Sequence, residues 1–202
     1  MNTLSLTGSI TDASVCARSA VAGRGAAADG LPEGPFSQAQ CSECHAEKSP
    51  AVHSYATSKH GVLARLGNGP VGRSPDCVGC HTERAHAPSN PERMRQNCNR
   101  CHSSRYVRTL ITNGKQMIEL GMMKAREAEQ LLLRARAEFP ADSLLEMEAY
   151  YLELQQHLTN LRLGVAHQSP DYQWWHGQPA LDGDLLHIKG AYDLLQRQRA
   201  LE

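Results

Sequence analysis

The chain has 202 residues, a length that accommodates one domain with an appendage. Its 21 basic and 21 acidic residues give a formal net charge of zero, and no basic stripe runs along a predicted helix, so nucleic acid is not an expected partner. No segment approaches the about 18 consecutive apolar residues of a transmembrane helix, so no membrane span is expected. Aromatic residues make up only 5% of the sequence, which predicts a thin apolar core.

Residues 1–34 are rich in Ala, Gly and Ser and show no hydrophobic period, which predicts a disordered leader or tail. The first eleven residues contain no Lys or Arg and no clean apolar segment follows, so this region does not resemble a secretory signal peptide. Cys16 has no Cys-x-x-Cys partner, and we interpret it as an incidental free thiol.

Residues 35–105 contain three Cys-x-x-Cys-His motifs: Cys41, Cys44 and His45; Cys77, Cys80 and His81; Cys98, Cys101 and His102. Random placement of the cysteines and histidines would produce about 0.01 such motifs. Two thiols at this spacing can add to the two vinyl groups of one porphyrin, and the adjacent His binds the iron as proximal ligand. A zinc site, the main alternative, does not require a His after each second Cys. The motifs therefore predict three covalently bound haem c groups.

The distal ligands decide whether such a protein carries electrons or catalyses a reaction, because a catalytic haem leaves one axial position open. His60, between the first two motifs, and His86, five residues after His81, are predicted distal ligands. For the third iron the spacing does not separate His53, His167 and His176; the predicted ligand set adds His53 to the other two.

Two further histidines lie beside apolar stripes of predicted helices. His157 and His187 are expected to be helix-surface or satisfied buried histidines rather than iron ligands.

Beyond the motifs, hydrophobic periodicity predicts a long helix over about 104–138, ended by Pro140. Ser143 and Glu146 have the spacing of a capping box at the start of the next helix. Apolar residues in steps of three and four mark the second and third helices; they are Met147, Tyr151, Leu154, Leu158, Leu161 and Val165, then Leu181, Leu185, Ile188, Tyr192 and Leu195. These stripes predict a helical hairpin with a third helix packed on it, or in addition a subunit interface.

Together these patterns predict a mainly α protein. A multihaem cytochrome c module with little regular structure, residues 35–105, precedes a long-helix bundle, residues 106–202. Covalently clamped porphyrins would supply the apolar bulk that the first part lacks. Because haem is normally attached to such motifs outside the cytoplasmic membrane, a periplasmic or other extracytoplasmic location is expected.

Several segments resemble the last haem motifs and C-terminal bundle of octahaem hydroxylamine oxidoreductase-like cytochromes. They are Ser58-Lys59-His60-Gly61, Cys77-Val78-Gly79-Cys80-His81, Met94-Arg95-Gln96-Asn97-Cys98-Asn99-Arg100-Cys101-His102, and Ala166-His167-Gln168-Ser169-Pro170-Asp171-Tyr172-Gln173-Trp174-Trp175-His176-Gly177. The resemblance covers roughly residues 31–200. It implies distal roles for His60 and His86, and trimeric assembly through the C-terminal helices. Members of this family oxidise hydroxylamine or hydrazine, or reduce nitrite.

The substrate haem of that family belongs to an N-terminal half to which no part of this sequence corresponds. Oxidative members also link a Tyr to a neighbouring subunit's substrate haem; Tyr150, Tyr151 and Tyr172 have the location for this but are expected to pack in the bundle or cap an interface. We therefore expect an electron carrier with no catalytic residue, working in a homo- or hetero-oligomer with a redox partner such as an octahaem enzyme. The alternatives are a fragment of a multihaem oxidoreductase acting on hydroxylamine, hydrazine or nitrite, and a structural subunit.

Overall fold

The computed structural model describes residues 45, 49–66, 74–81 and 91–201. These residues are mainly α-helical, as the sequence predicts, and the expected leader at 1–34 lies outside them. The helices are, in chain order, α1 (Pro50–Ala56), α2 (Lys59–Leu66), α3 (Cys77–Cys80), α4 (Pro91–Asn99), α5 (Ser104–Glu138), α6 (Leu145–His167), α7 (Pro170–Gln173) and α8 (Gln178–Arg199). None of these helices has both the length and the apolar composition needed to cross a membrane.

The three long helices α5, α6 and α8 pack against one another and form the apolar core. The predicted helix over 104–138 is confirmed, and so is the third helix. In α6, the residues Met147, Leu154, Leu158 and Leu161 of the predicted stripe are all buried within the single chain. Most of this stripe therefore packs inside the bundle, and the predicted subunit interface stays a prediction.

The predicted capping box at Ser143 is wrong. A 3-10 turn, Ala141–Leu144, precedes α6, and the Ser143 hydroxyl donates a hydrogen bond to the carbonyl oxygen of Pro140 at 2.7 Å. The residue directly before α6 is Leu144, and no side chain caps this helix. Ser103, one position before α5, does cap its helix by accepting from the backbone N–H of Tyr106 at 3.4 Å.

The short helices α1 to α4 carry almost no apolar core of their own. Among the described residues before Val107, none of the buried ones is a large apolar residue; they are Ser54, Ser58 and Gly61. Four large apolar side chains here are instead solvent-exposed; they are Val62, Leu63, Leu66 and Met94. The described residues of α1 to α4 therefore contribute little apolar core of their own.

The polypeptide chain approaches itself closely where α6 turns into α7. A Cβ atom at Gly164, in the last turn of α6, would lie 2.7 Å from the carbonyl carbon of Tyr172 and 2.8 Å from the nitrogen of Gln173. Real Cβ atoms do not approach backbone so closely, so only glycine allows the corner between α6 and α7.

We predict that Gly164→Ala lowers the free energy of unfolding by about 1–3 kcal/mol, because the backbone of α7 must move away. The matched control is Gly183→Ala in α8, where an added Cβ meets nothing within 4 Å. That substitution should stabilise the helix by about 0.5–1 kcal/mol. Thermal unfolding followed by circular dichroism measures both; equal shifts of the melting temperature would contradict the close approach.

Candidate haem centres

Two of the three Cys-x-x-Cys-His motifs lie in the described chain, and each forms one helical turn. In the second motif the backbone N–H of His81 donates to the carbonyl oxygen of Cys77 at 2.8 Å. In the third, the N–H of His102 donates to the oxygen of Cys98 at 2.9 Å. This shared bond brings two thiols and the following imidazole onto a single turn, the arrangement that haem attachment requires. Of the first motif only His45 is described; Cys41 and Cys44 lie outside.

Side chains next to the cysteines fix the second motif to the third. Asp76 caps α3, its carboxylate accepting from the N–H of Gly79 at 2.7 Å. The Asn97 side-chain amide in α4 donates to the carbonyl oxygen of Cys80 at 2.9 Å. Burial raises the pKa of the Cys80 thiol, and the nearby Cys98 raises it further. The two attachment turns are therefore direct neighbours.

Each of these two proximal histidines faces a second imidazole. The ring centres of His60 and His102 are 6.0 Å apart, and those of His81 and His167 are 6.5 Å apart. Two imidazoles that bind one iron from opposite sides, with metal–nitrogen bonds of about 2.0 Å, have ring centres about 6.3 Å apart. Both pairs therefore have the separation of axial ligands to a common iron.

A pair of imidazoles suits haem better than zinc. A structural zinc ion takes four protein ligands in a tetrahedron. Among the described residues, no group of three or more His, Cys, Asp or Glu side chains is placed to hold a metal ion. Axial ligation of haem needs only two, because the porphyrin supplies the other four. The two pairs of facing imidazoles therefore fit haem better than zinc.

His167 is held in the form that binds iron. Its Nδ1 lies 2.7 Å from the hydroxyl of Ser54 in α1, and that hydroxyl also donates to the carbonyl oxygen of Ala51 at 3.1 Å. Because the Ser54 hydroxyl donates its hydrogen bond to the carbonyl oxygen of Ala51, its oxygen accepts one from Nδ1–H of His167. The free lone pair of the imidazole is then on Nε2. Burial lowers the pKa of His167 to about 4, and the neighbouring His81 contributes to the same shift. The imidazole is therefore neutral at physiological pH, as a ligand must be.

His60 is similarly neutral. Burial lowers its pKa, and the facing His102 lowers it further. The backbone of His60 is fixed by a hydrogen bond that the Ser74 hydroxyl donates to its carbonyl oxygen at 2.6 Å. Gly61, directly after it, is buried against α1, where a Cβ atom would overlap the carbonyl oxygen of Tyr55.

The other predicted distal ligands occupy different surroundings. His53 faces Tyr172 of α7, whose hydroxyl lies 3.1 Å from His53 Nδ1. His176 packs on the same tyrosine at 5.1 Å between ring centres and lies 3.8 Å from a carboxylate oxygen of Asp171. The structure does not pair either of them with His81 or His102, and His86 lies outside the described residues. For the iron of the first motif, His53 and His86 stay predictions.

Hydrogen bonds between hydroxyl groups and imidazoles join helix α1 to the corner between α6 and α7. Ser54 of α1 binds His167, while Tyr172 of α7 binds His53 of α1. Between these two contacts the hydroxyls of Thr57 and Ser169 lie 2.8 Å apart. These side chains form a polar seam that joins the haem region to the bundle and orients two imidazoles at once.

The remaining sequence-predicted histidines and tyrosines have structural roles. His157 Nδ1 lies 2.6 Å from the buried carboxylate of Asp184, and the exposed His187 packs on Tyr150 at 4.8 Å between ring centres. Tyr150 and Tyr151 pack on the bundle core and Tyr172 is buried in the polar seam. The expected satisfied histidines and packed tyrosines are confirmed.

No family model matches the chain, and no curated protein is significantly similar to it.

We predict that Ser54→Ala loosens His167 while leaving haem content unchanged, because Nδ1–H loses its acceptor. Cyanide should then displace this axial ligand at concentrations about 10–100-fold lower, the usual effect of losing an outer hydrogen bond to a metal-bound His. Thr57→Ala is the matched control, since it removes a hydrogen bond of the same seam that does not involve an imidazole. Optical titration with cyanide measures the difference, and identical titrations of the two variants would contradict the positioning role.

Proposed function

We propose that this chain is a trihaem c-type cytochrome that transfers electrons between redox partner proteins. The observation that carries the proposal is that two proximal histidines, each on a Cys-x-x-Cys-His turn, face a neutral imidazole at the distance of a second axial ligand. When bound, haem supplies reversible one-electron chemistry, which imidazoles on both faces favour over substrate binding.

Each residue has a defined role in this proposal. The cysteine pairs Cys41 and Cys44, Cys77 and Cys80, and Cys98 and Cys101 bind the porphyrins covalently, and His45, His81 and His102 are the proximal ligands. His60 serves opposite His102, and His167 opposite His81. His86 or His53 serves opposite His45.

The resemblance to octahaem hydroxylamine oxidoreductase-like cytochromes agrees with this role. A carrier of this type belongs in the periplasm or another extracytoplasmic space, in an oligomer that receives or delivers electrons. The oxidoreductase alternative, with hydroxylamine, hydrazine or nitrite as substrate, requires an open axial position. Two of the three predicted proximal histidines, His81 and His102, each face a second imidazole, which supports the carrier.

The first test counts the haems. The mass of the intact holoprotein after acid-acetone extraction should exceed that of the polypeptide by three covalently attached haem groups, since thioether bonds survive this treatment. Substituting both cysteines of one motif by Ala should remove one haem. A mass equal to that of the bare polypeptide, or zinc in place of iron, would contradict the proposal.

The second test removes distal ligands one at a time. We expect His60→Ala and His167→Ala each to convert one haem to a high-spin form and to raise its reduction potential, because a strong imidazole donor is lost. His187→Ala is the control, since His187 is exposed and packs on Tyr150 in the bundle. Electron paramagnetic resonance of the ferric proteins provides the measurement. A native high-spin signal combined with turnover of hydroxylamine, hydrazine or nitrite would favour the enzyme instead.

A further inference from the structure

The charges of the described chain are segregated although the whole sequence is neutral. Described residues up to position 115 include eight Lys and Arg but only two acidic residues, Asp76 and Glu92. Described residues from 116 to 201 include twelve acidic and eight basic residues. Among the described residues, the part up to position 115 is thus basic and the bundle mildly acidic.

The basic residues concentrate around the third haem-attachment turn. Arg100 lies inside that motif and close enough to the Cys80 thiol to counteract part of the burial that raises its pKa. Arg105, Arg108 and Lys115 follow on α5 at spacings of three and seven, which put them along one exposed face of the helix. Arg93 and Arg95 of α4 add to the same end of the molecule. We call Arg100, Arg105, Arg108 and Lys115 the basic face.

The cations of the basic face differ from those of the bundle in their partners. In the bundle, five of the eight are in ion pairs; they are Lys124, Arg136, Lys189, Arg197 and Arg199. Within the described part of the chain, no carboxylate lies within ion-pair distance of any member of the basic face. The two acidic residues nearby are both engaged, Asp76 as the cap of α3 and Glu92 with Arg95 at 3.4 Å. Among the described residues, no ion pair therefore neutralises the cations of this face.

The third motif is exposed to solvent at the start of α5, next to Arg105. Cys101 and His102 are exposed, and the half-exposed ring of Tyr106 lies 5.1 Å from that of His102. Charges of one sign beside such an exposed turn suit a transient electron-transfer complex, because electrostatic attraction guides a partner to it without requiring a tight interface.

We propose that the basic face is the docking surface for an acidic redox partner protein, which exchanges electrons with this chain at the third motif. The inference rests on the proposed function and adds to it the chemistry of the partner. Arg100 and Arg105 flank the exposed third motif in the sequence, and a partner that exchanges electrons at this turn is an acidic protein instead of nucleic acid.

The test uses the full-length holoprotein and a plant-type [2Fe–2S] ferredoxin as an acidic probe whose potential, about −400 mV, is low enough to reduce the haems. The patch variant is Arg105→Glu/Arg108→Glu. The matched control, Arg126→Glu/Arg162→Glu, changes the net charge equally at two exposed arginines of the bundle. Calorimetry measures the Kd of oxidised ferredoxin, and stopped-flow absorbance measures the transfer of one electron from reduced ferredoxin to a ferric haem iron.

At low ionic strength, the Kd should rise and the second-order rate constant fall by about tenfold or more in the patch variant, with less than about a twofold change in the control. The difference should disappear near 1 M salt, where the Debye length is about 3 Å. The variant Arg105→Gln/Arg108→Gln changes the charge less and should lose an intermediate part of the affinity and of the rate. It checks that the loss in the charge-reversal variant comes from charge and not from misfolding.

Equal effects of the patch and control variants, or rates independent of salt, would overturn the docking surface. The docking surface would also be overturned if the patch variant lost salt-dependent binding to duplex DNA, or to vesicles containing anionic lipid, while its ferredoxin binding stayed unchanged. Pyridine haemochrome spectra separate the two levels of the proposal: three haems with no charge effect reject only the docking surface, whereas the absence of haem rejects the proposed function itself.

Discussion

The arrangement of the helices before α5 depends on pairs of imidazoles that face each other. Helices α1 to α4 bury almost no apolar side chains, and the two facing pairs join segments far apart in the chain. His60 and His102 connect α2 to the end of α4, and His81 and His167 connect α3 to the end of α6. A group held between each pair would close these long loops and supply the missing apolar bulk, as metals do in other small modules. A cofactor held between these pairs would be part of the fold.

The polar seam shows how the bundle contributes to this arrangement. An apolar contact between α1 and α6 would fix distance but not the tautomer of an imidazole, because only a hydrogen bond distinguishes Nδ1 from Nε2. Ser54 and Tyr172 provide such bonds in opposite directions across the seam. The long helices therefore do more than pack a core: the rigid end of α6 sets the position of a histidine whose partner lies on the α3 turn. Gly164 permits this by letting α7 return directly against α6.

The sequence predicted the bundle well and the pairing of histidines only in part. Periodicity located α5 and α8 because each carries a continuous apolar stripe, which the other long helices cover. It failed at Ser143, which lies within a 3-10 turn and not directly before α6. His60 was predicted from its place between motifs, but His167 stayed one of three equal candidates. Its partner Ser54 is 113 residues away, and no local pattern encodes a contact at that separation. Overall neutrality also hid the basic face, because a sum over the chain erases segregation.

Segregated charge and neutral imidazoles occur together in this part of the chain. Histidines that bind iron must stay uncharged, and burial together with a facing imidazole lowers the pKa of both His60 and His167. Near neutral pH, His60 and His167 therefore add no positive charge to this part of the chain. The charge of the basic face comes from three arginines and one lysine and is constant over the physiological range. The docking surface that we propose therefore does not depend on the protonation of His60 or His167.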